Sequence, residues 1–448
     1  MEVNRDKKMN KNLQHKFATI VRLKGIIRFL IIILLWSFAN QSVYALEIEE
    51  AIALANENSV EIQIEKNRSE YVALSKIEAV SEFLPNASYN YRDGKRKTRI
   101  SNLSDKQDDQ VKTLNFNQSL FKGFSSVLKF RESMLSHRSA QENLNFVKNE
   151  IALKVADSYM NILKYQQIND IIIKLAIDYK KLLNLADKKL SLKDIDYGEY
   201  SSYELNAKKN EIEGAQNDIS LNSYKSIFSH FTNSDPHEFV FPKLAESITI
   251  VDEQEKMDDL VNLALNQNPK IKSTNLATKA KKTAIATQVG KLMPEISLNY
   301  QAETQKSSYY FDGQDVRNRS VYLNFAIPIF QSGIEYSSIA KAHKESQIAS
   351  LENQLYIKEI RKGIIEEYHK FLLLQRNLFS SLSALESSNK ALVMAKKKLD
   401  KKDIGMMEYL LKEIENFELL KQMIIIKCDY FISYYNIKFL TGEINVKN

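Results

Sequence analysis

The residue types that usually carry chemistry are present in this chain but never in a working arrangement. His15, His137, His230, His237, His343 and His369 fall at no metal-ligand spacing, and Cys428 is the only cysteine. There is no glycine-rich phosphate loop and no nucleophile with a base in a known motif. No catalytic residue, metal site or cofactor is expected, and the chain does not read as an enzyme. What remains is electrostatic: carboxylates gathered in two stretches, Asp194, Asp196 and Glu204 around Gly198, and Asp400, Asp403 and Glu408 around Gly405. Acids beside a helix start also suit the N-terminal end of the helix dipole.

Both stretches sit in a chain that says the same thing twice. Pro85 recurs as Pro294, Asn90-Tyr91 as Asn299-Tyr300, Asn115-Phe116 as Asn324-Phe325, Phe121 as Phe330, Tyr159 as Tyr368 and Leu163 as Leu372. One constant offset, that from Pro85 to Pro294, separates every pair, the mark of a duplicated structural unit. The first copy is expected over 46–250 and the second over 251–448.

A basic stretch (Arg22, Lys24, Arg28), an apolar run from Phe29 to Trp36 and Val43-Tyr44-Ala45 precede the first copy. That order predicts a signal peptide over 1–45, with translation starting at Met1 or Met9; the run falls well short of the roughly 20 residues a membrane helix needs. Without this segment 55 basic and 54 acidic residues remain, so the chain's basicity belongs to the leader. A nucleic-acid partner thereby loses its support.

Eleven glycines and six prolines in 448 residues leave room for long uninterrupted elements. Helical spacing runs from about Ile48 to Glu82, Phe124 to Leu190, Glu199 to Phe231 and Gln254 to Lys291, and from Gly333 onward. The stretch of about 67 residues from Phe124 spans roughly 100 Å at 1.5 Å per residue, beyond what a globular core covers. Between the helices, period two replaces period 3.6. Strands are predicted at about 86–93 and 111–121, with a charged loop from Asp93 to Asp109, and at about 295–303 and 320–330. Helix and strand meet at Pro85, Gly123, Pro294 and Gly333.

Each predicted strand carries one face of Tyr, Phe, Leu and Ile and one of Ser, Asn and Gln. Strands of this length suit a tilted crossing of a bilayer, where only a closed barrel leaves no bare edge. Four strands cannot enclose a lumen, so several copies must share one barrel, and three would give twelve strands. Aromatic girdles are expected at Phe121, Phe124 and Phe330 on the helix side and at Tyr309, Tyr310 and Phe311 on the loop side. A coiled-coil scaffold without a pore, exported or cytosolic, would explain the helices but not the four alternating runs.

Order, spacing and duplication together resemble the TolC-like outer-membrane efflux proteins. The resemblance is carried by Leu84-Pro85 and Met293-Pro294, NFNQSLFKG from Asn115 and NFAIPIFQSG from Asn324, Asn268-Pro269, Tyr159 and Tyr368, and Phe439-Leu440-Thr441-Gly442. It implies a homotrimer: a twelve-stranded barrel in outer-membrane lipid continued by an α-helical barrel in the periplasm. It also implies a passive exit duct for efflux or type I secretion, joined through a periplasmic adaptor to an inner-membrane pump. Gly198 and Gly405 would mark the periplasmic turns, with Glu204, Glu408, Asp400 and Asp403 around the entrance. Gly198-Glu199-Tyr200-Ser201 fits the family's Gly-x-x-Ser pattern. The second turn departs from it and places Leu411 at its second acidic position. The interval between the two glycines falls short of the repeat offset, so the copies are expected to slip out of register at this end.

Overall fold

The computed structural model describes residues 45–100, 103–242, 256–307, 315–330 and 332–444. The leader and Tyr309, Tyr310 and Phe311 lie outside the described residues, apart from Ala45. Two units divide the chain: residues 1–47 with 234–242, and 48–233 with 243–448. In the described part of the first, Ala45 bridges Val240 in parallel and Asp235 caps a short 3-10 turn, Pro236–Glu238.

The second unit pairs a four-stranded sheet with helices whose lengths repeat. The first copy has α1 (Ile48–Asn58), α2 (Val60–Ser81), α3 (Ser125–Ser191) and α4 (Tyr197–Thr232). The second has α5 (Met257–Gln267), α6 (Pro269–Gly290), α7 (Ile334–Asp400) and α8 (Met406–Thr441). Each helix has the same length as its counterpart and begins at the repeat offset from it. The helix expected to run unbroken from Ile48 to Glu82 is two helices, as is the one from Gln254 to Lys291. Ser59 caps α2 by accepting from the Ile62 amide, and Asn268 caps α6 by accepting from Lys270 and Ile271, with Pro269 in the first turn. Ser and Asn satisfy the amides a new helix leaves open, and proline fits the first turn, so both joints restart a helix in a sequence of helical period.

The strands are β1 (Asn86–Ile100), β2 (Leu103–Lys122), β3 (Glu295–Ser307) and β4 (Asp315–Ala326), an antiparallel sheet in the order β1-β2-β3-β4. The copies join through β2 and β3, where Phe116 faces Tyr300. Most of the expected loop from Asp93 to Asp109 is strand: Asp93 pairs with Gln110, and the ladder continues to Ile100 opposite Leu103. Beyond Arg92 the sequence is charged on both faces, so no apolar alternation marks a strand, while the backbone ladder needs none. β4 stops at Ala326 rather than reaching Phe330; Pro328 has no amide to continue the ladder.

Pro85 lies between α2 and β1, and Pro294 between α6 and β3. β2 turns into α3 through Gly123 and Phe124, both left-handed, and Ser332 and Gly333 repeat that backbone before α7. A side chain on Gly123 would run into the Gly290 carbonyl oxygen, so only glycine lets the two junctions approach.

Candidate functional site

Three features of the second unit invite a functional reading, and each grows from local sequence. The first is the sheet. Tyr89, Tyr91, Leu114, Phe116, Leu298, Val321, Leu323 and Phe325 are all exposed. The pleat puts Ser88, Asn90, Asn115, Asn117, Ser297 and Asn299 on the opposite face. There Asn117 donates to Asn299 directly across the β2–β3 pair at 2.5 Å. The apolar face is thus uncovered, while on the opposite face Asn117 is exposed and Val111 and Ser297 are buried; the outer edges, β1 and β4, pair with nothing among the described residues. Of the expected girdle, Phe124 and Phe330 are exposed, and Phe121 meets Phe124 edge-on at 5.2 Å.

The second feature is an inequality between twins. Twenty-one residues of α3 are buried but only seven of the equally long α7. α3 has neighbours on two sides: α2 and α4 of its own copy, α6 and α8 of the other. Ser139 bonds Ser273 of α6, Asn143 accepts from Lys270 of α6, Phe146 packs 5.8 Å from Phe439 of α8, and Lys164 pairs with Asp429 of α8. The counterparts of Ser139, Phe146 and Lys164 at the repeat offset are Ile348, Leu355 and Leu373, and all three are exposed. α7 therefore carries an apolar stripe on the face by which α3 meets a second copy.

The third feature is the pair of turns at the far ends of α3 and α7. Lys193 and Lys402, both left-handed, follow their helices, and the starts of α4 and α8 keep the repeat offset. The expected slip of register does not occur. Gly405 occupies the cap position of Asp196, so Gly198 and Gly405 are not counterparts. Asp196 accepts from the Glu199 amide at 2.7 Å, whereas Gly405 caps without a side chain. In this register Glu408 answers Glu199, Asp403 answers Asp194, and Glu204 is answered by Glu413 rather than Leu411. Glu204, Glu408, Asp400 and Asp403 are all exposed around these turns.

Glu413 is the acid that matching glycine to glycine conceals; the constant offset would have found it. Tyr409 donates to it at 3.3 Å, and burial, followed by the nearby Asp178 carboxylate on α3, raises its pKa above the ordinary carboxylate value. Asp178 is itself buried and held by Lys181 at 2.8 Å. Among the described residues no cluster of ligands could hold a metal, and no helix is long and apolar enough to cross a membrane.

Residues 260–401 match the family model of the outer membrane efflux proteins. No curated protein matches by sequence. Solved structures match over most of the chain. The CmeC outer membrane channel of Campylobacter jejuni is 15% identical, with 90% of this chain and 87% of that chain covered at a TM-score of 0.71. The outer membrane protein VceC of Vibrio cholerae is 13% identical over 88% and 96%, with a TM-score of 0.73. The MtrE outer membrane channel of Neisseria gonorrhoeae is 12% identical over 88% of each chain, with a TM-score of 0.71. The fold is that of these channels, and the TolC-like resemblance read from the sequence holds.

Proposed function

We propose that this chain, with the fold of outer membrane efflux channels, is the exit duct of a tripartite efflux or type I secretion assembly in the outer membrane. Three copies form it, and a periplasmic adaptor joins it to the inner-membrane pump that supplies the energy. The observation that carries this reading is the sheet, with an apolar face uncovered, a polar face opposite and two edges that pair with nothing among the described residues. In lipid each unpaired backbone group costs several kcal/mol, so β4 of one copy must pair with β1 of the next until the ring closes. An interface between two different edges of one chain closes in this way, and three copies give twelve strands.

The helices support the same operation. If α7 meets the next copy as α3 meets α6 and α8, its apolar stripe lands on that copy's α2 and α4. Those helices expose Val60, Ile64, Leu74 and Ile77, and Leu205, Ile212 and Ile219. The polar sheet face then lines the lumen, and the carboxylates at the turns ring the periplasmic entrance. A soluble coiled-coil scaffold leaves the sheet without a purpose.

The test is to purify the mature protein from an outer-membrane fraction and record it in planar lipid bilayers. Stable, stepwise conductance is expected. Recovery in the soluble fraction as a helical rod that forms no pore would overturn the proposal.

A further inference from the structure

Inside the chain, the contact of α3 with α6 and α8 holds a cation. The Lys270 ammonium of α6 lies 2.7 Å from Asn143 Oδ1 and 5.1 Å from the centre of the Phe146 ring, and Phe439 of α8 packs against that ring. At the repeat offset Lys270 becomes Glu61 of α2, Asn143 becomes Glu352 of α7, Phe146 becomes Leu355 and Phe439 becomes His230 of α4. If the contact between chains repeats the contact within a chain, α7 of one copy meets α2 and α4 of the next at these four positions. The ammonium is then missing, and two carboxylates oppose each other across the junction.

Half of this arrangement is built within one chain. His230 Nε2 stands 2.9 Å from Glu61 Oε1, and the Ser59 hydroxyl donates to Glu61 Oε2 at 2.8 Å, which fixes the carboxylate. Burial opposes the charge on Glu61, but the Ser59 hydroxyl, the Glu61 amide and His230 outweigh it and hold its pKa below the ordinary value. Glu352 is exposed and forms no ion pair among the described residues. No lysine takes the place of Lys270. Lys66, Lys225 and Lys358 are five or six positions along α2, α4 and α7, which at about 100° per residue puts each well round its helix. Lys154, which reaches Phe231, is paired with Glu150.

An imidazole and two carboxylates make a ligand set for a divalent cation. Zinc takes histidine nitrogen and carboxylate oxygen at about 2.0–2.2 Å, so two of its ligands stand roughly 3 Å apart, as His230 Nε2 and Glu61 Oε1 do. Imidazole favours zinc over magnesium and calcium, which prefer oxygen alone. Charge points the same way. A proton on His230 would leave the group with one negative charge, whereas a divalent cation beside neutral His230 leaves none.

We propose that Glu61 and His230 of one copy and Glu352 of the next bind a divalent cation of the zinc class, one at each junction, and that the ion ties the copies together. This rests on the reading of the chain as a closed ring of three, and it assigns that ring a ligand. One chain alone does not hold the site: among its described residues no group of ligands could hold a metal.

The experiment uses the full mature protein in detergent, stripped with EDTA and then dialysed against zinc. One zinc ion per chain should bind tightly. Glu352→Gln and His230→Gln should each weaken that binding about tenfold or more, since even groups that only support a metal ligand are worth that much. His369→Gln, an exposed histidine elsewhere on α7, should leave it unchanged. Heating separates a ligand from a mere contact. In EDTA the Glu352→Gln trimer should dissociate at a higher temperature than the parent, because one of two opposed carboxylates is gone; with zinc the order should reverse. Zinc binding that ignores Glu352 would overturn the proposal, as would an order that does not reverse. A parent trimer tightened by mild acid in EDTA but not by zinc would also overturn it, in favour of a proton on His230. Helicity by circular dichroism and mass by light scattering report whether each variant folds and assembles. A trimer that binds no zinc refutes this site alone, and a chain that forms no trimer refutes the ring.

Discussion

Ser139 and Ser273 exchange hydrogen bonds, the hydroxyl of each donating to the backbone carbonyl of the other at 2.8 Å. This small reciprocal contact joins α3 to α6 and so joins the two copies within one chain. Ser139→Ala should lower stability by about 1 kcal/mol, the usual net worth of one such bond. Because the pair acts as a unit, S139A/S273A should cost less than the sum of the single changes. Chemical unfolding of the four proteins, followed by helicity, completes the cycle; strict additivity would show that the two bonds act independently.

The α3–α8 contact near the turns should respond to acid. Glu413 faces Asp178 and Tyr409, with Lys181 and Lys396 near enough to moderate it. Its pKa is raised in the fold above the ordinary glutamate value of 4.5. The charged form is therefore the one the fold disfavours: the penalty is fully present above the folded pKa and is relieved as pH falls through it toward the ordinary value. Glu413→Gln should be more stable than the parent at neutral pH, and the gap should shrink on mild acidification. A gap that stays constant across this window would exclude Glu413 as its source.

Lys421 ties α8 to α4, its ammonium 2.8 Å from Glu213 and 2.6 Å from Glu418. The lysine is buried while both carboxylates are partly exposed. Lys421→Ala should therefore cost only about 1–2 kcal/mol, less than for a fully buried network, because water takes up the freed carboxylates. Lys421→Met should recover much of the loss by restoring the packing of the stem. A methionine variant no better than alanine would place the value in the charge instead.

Much of this architecture can be read from the residues, and the failures have physical causes. The long helices α3 and α7 show themselves by period and by the scarcity of glycine and proline, and the strands show where one face is apolar, as from Ala87 to Tyr91. The strand beyond Arg92 is hidden because backbone pairing holds it without an apolar face. The joints at Ser59 and Asn268 are hidden because a single capping side chain breaks a helix without disturbing its period. The turns mislead differently: glycine draws attention, yet Gly405 does the work of Asp196, a cap that either an aspartate side chain or a bare backbone can fill. What α7 buries cannot be read from one chain if, as proposed, its stripe meets the next copy.

Glu408 tests the entrance. It is exposed beside the second turn, and one such carboxylate from each of three copies would favour cations. Glu408→Gln should reduce cation preference, read as a smaller reversal potential across a salt gradient in planar bilayers. An unchanged potential would remove Glu408 from the filter.

The claim that copies close edge to edge is open to one direct measurement. Ile64 of α2 and Ile348 of α7 are both exposed, and they are the repeat counterparts of Ser273 and Ser139, the pair that joins the two copies inside each chain. If the contact between chains repeats the contact within a chain, residue 64 of one copy meets residue 348 of the next. I64C/I348C, oxidised in the membrane, should give a covalent trimer in a denaturing gel, while either single cysteine gives monomer. A double variant that stays monomeric, or a ladder that runs past three, would contradict the closed ring.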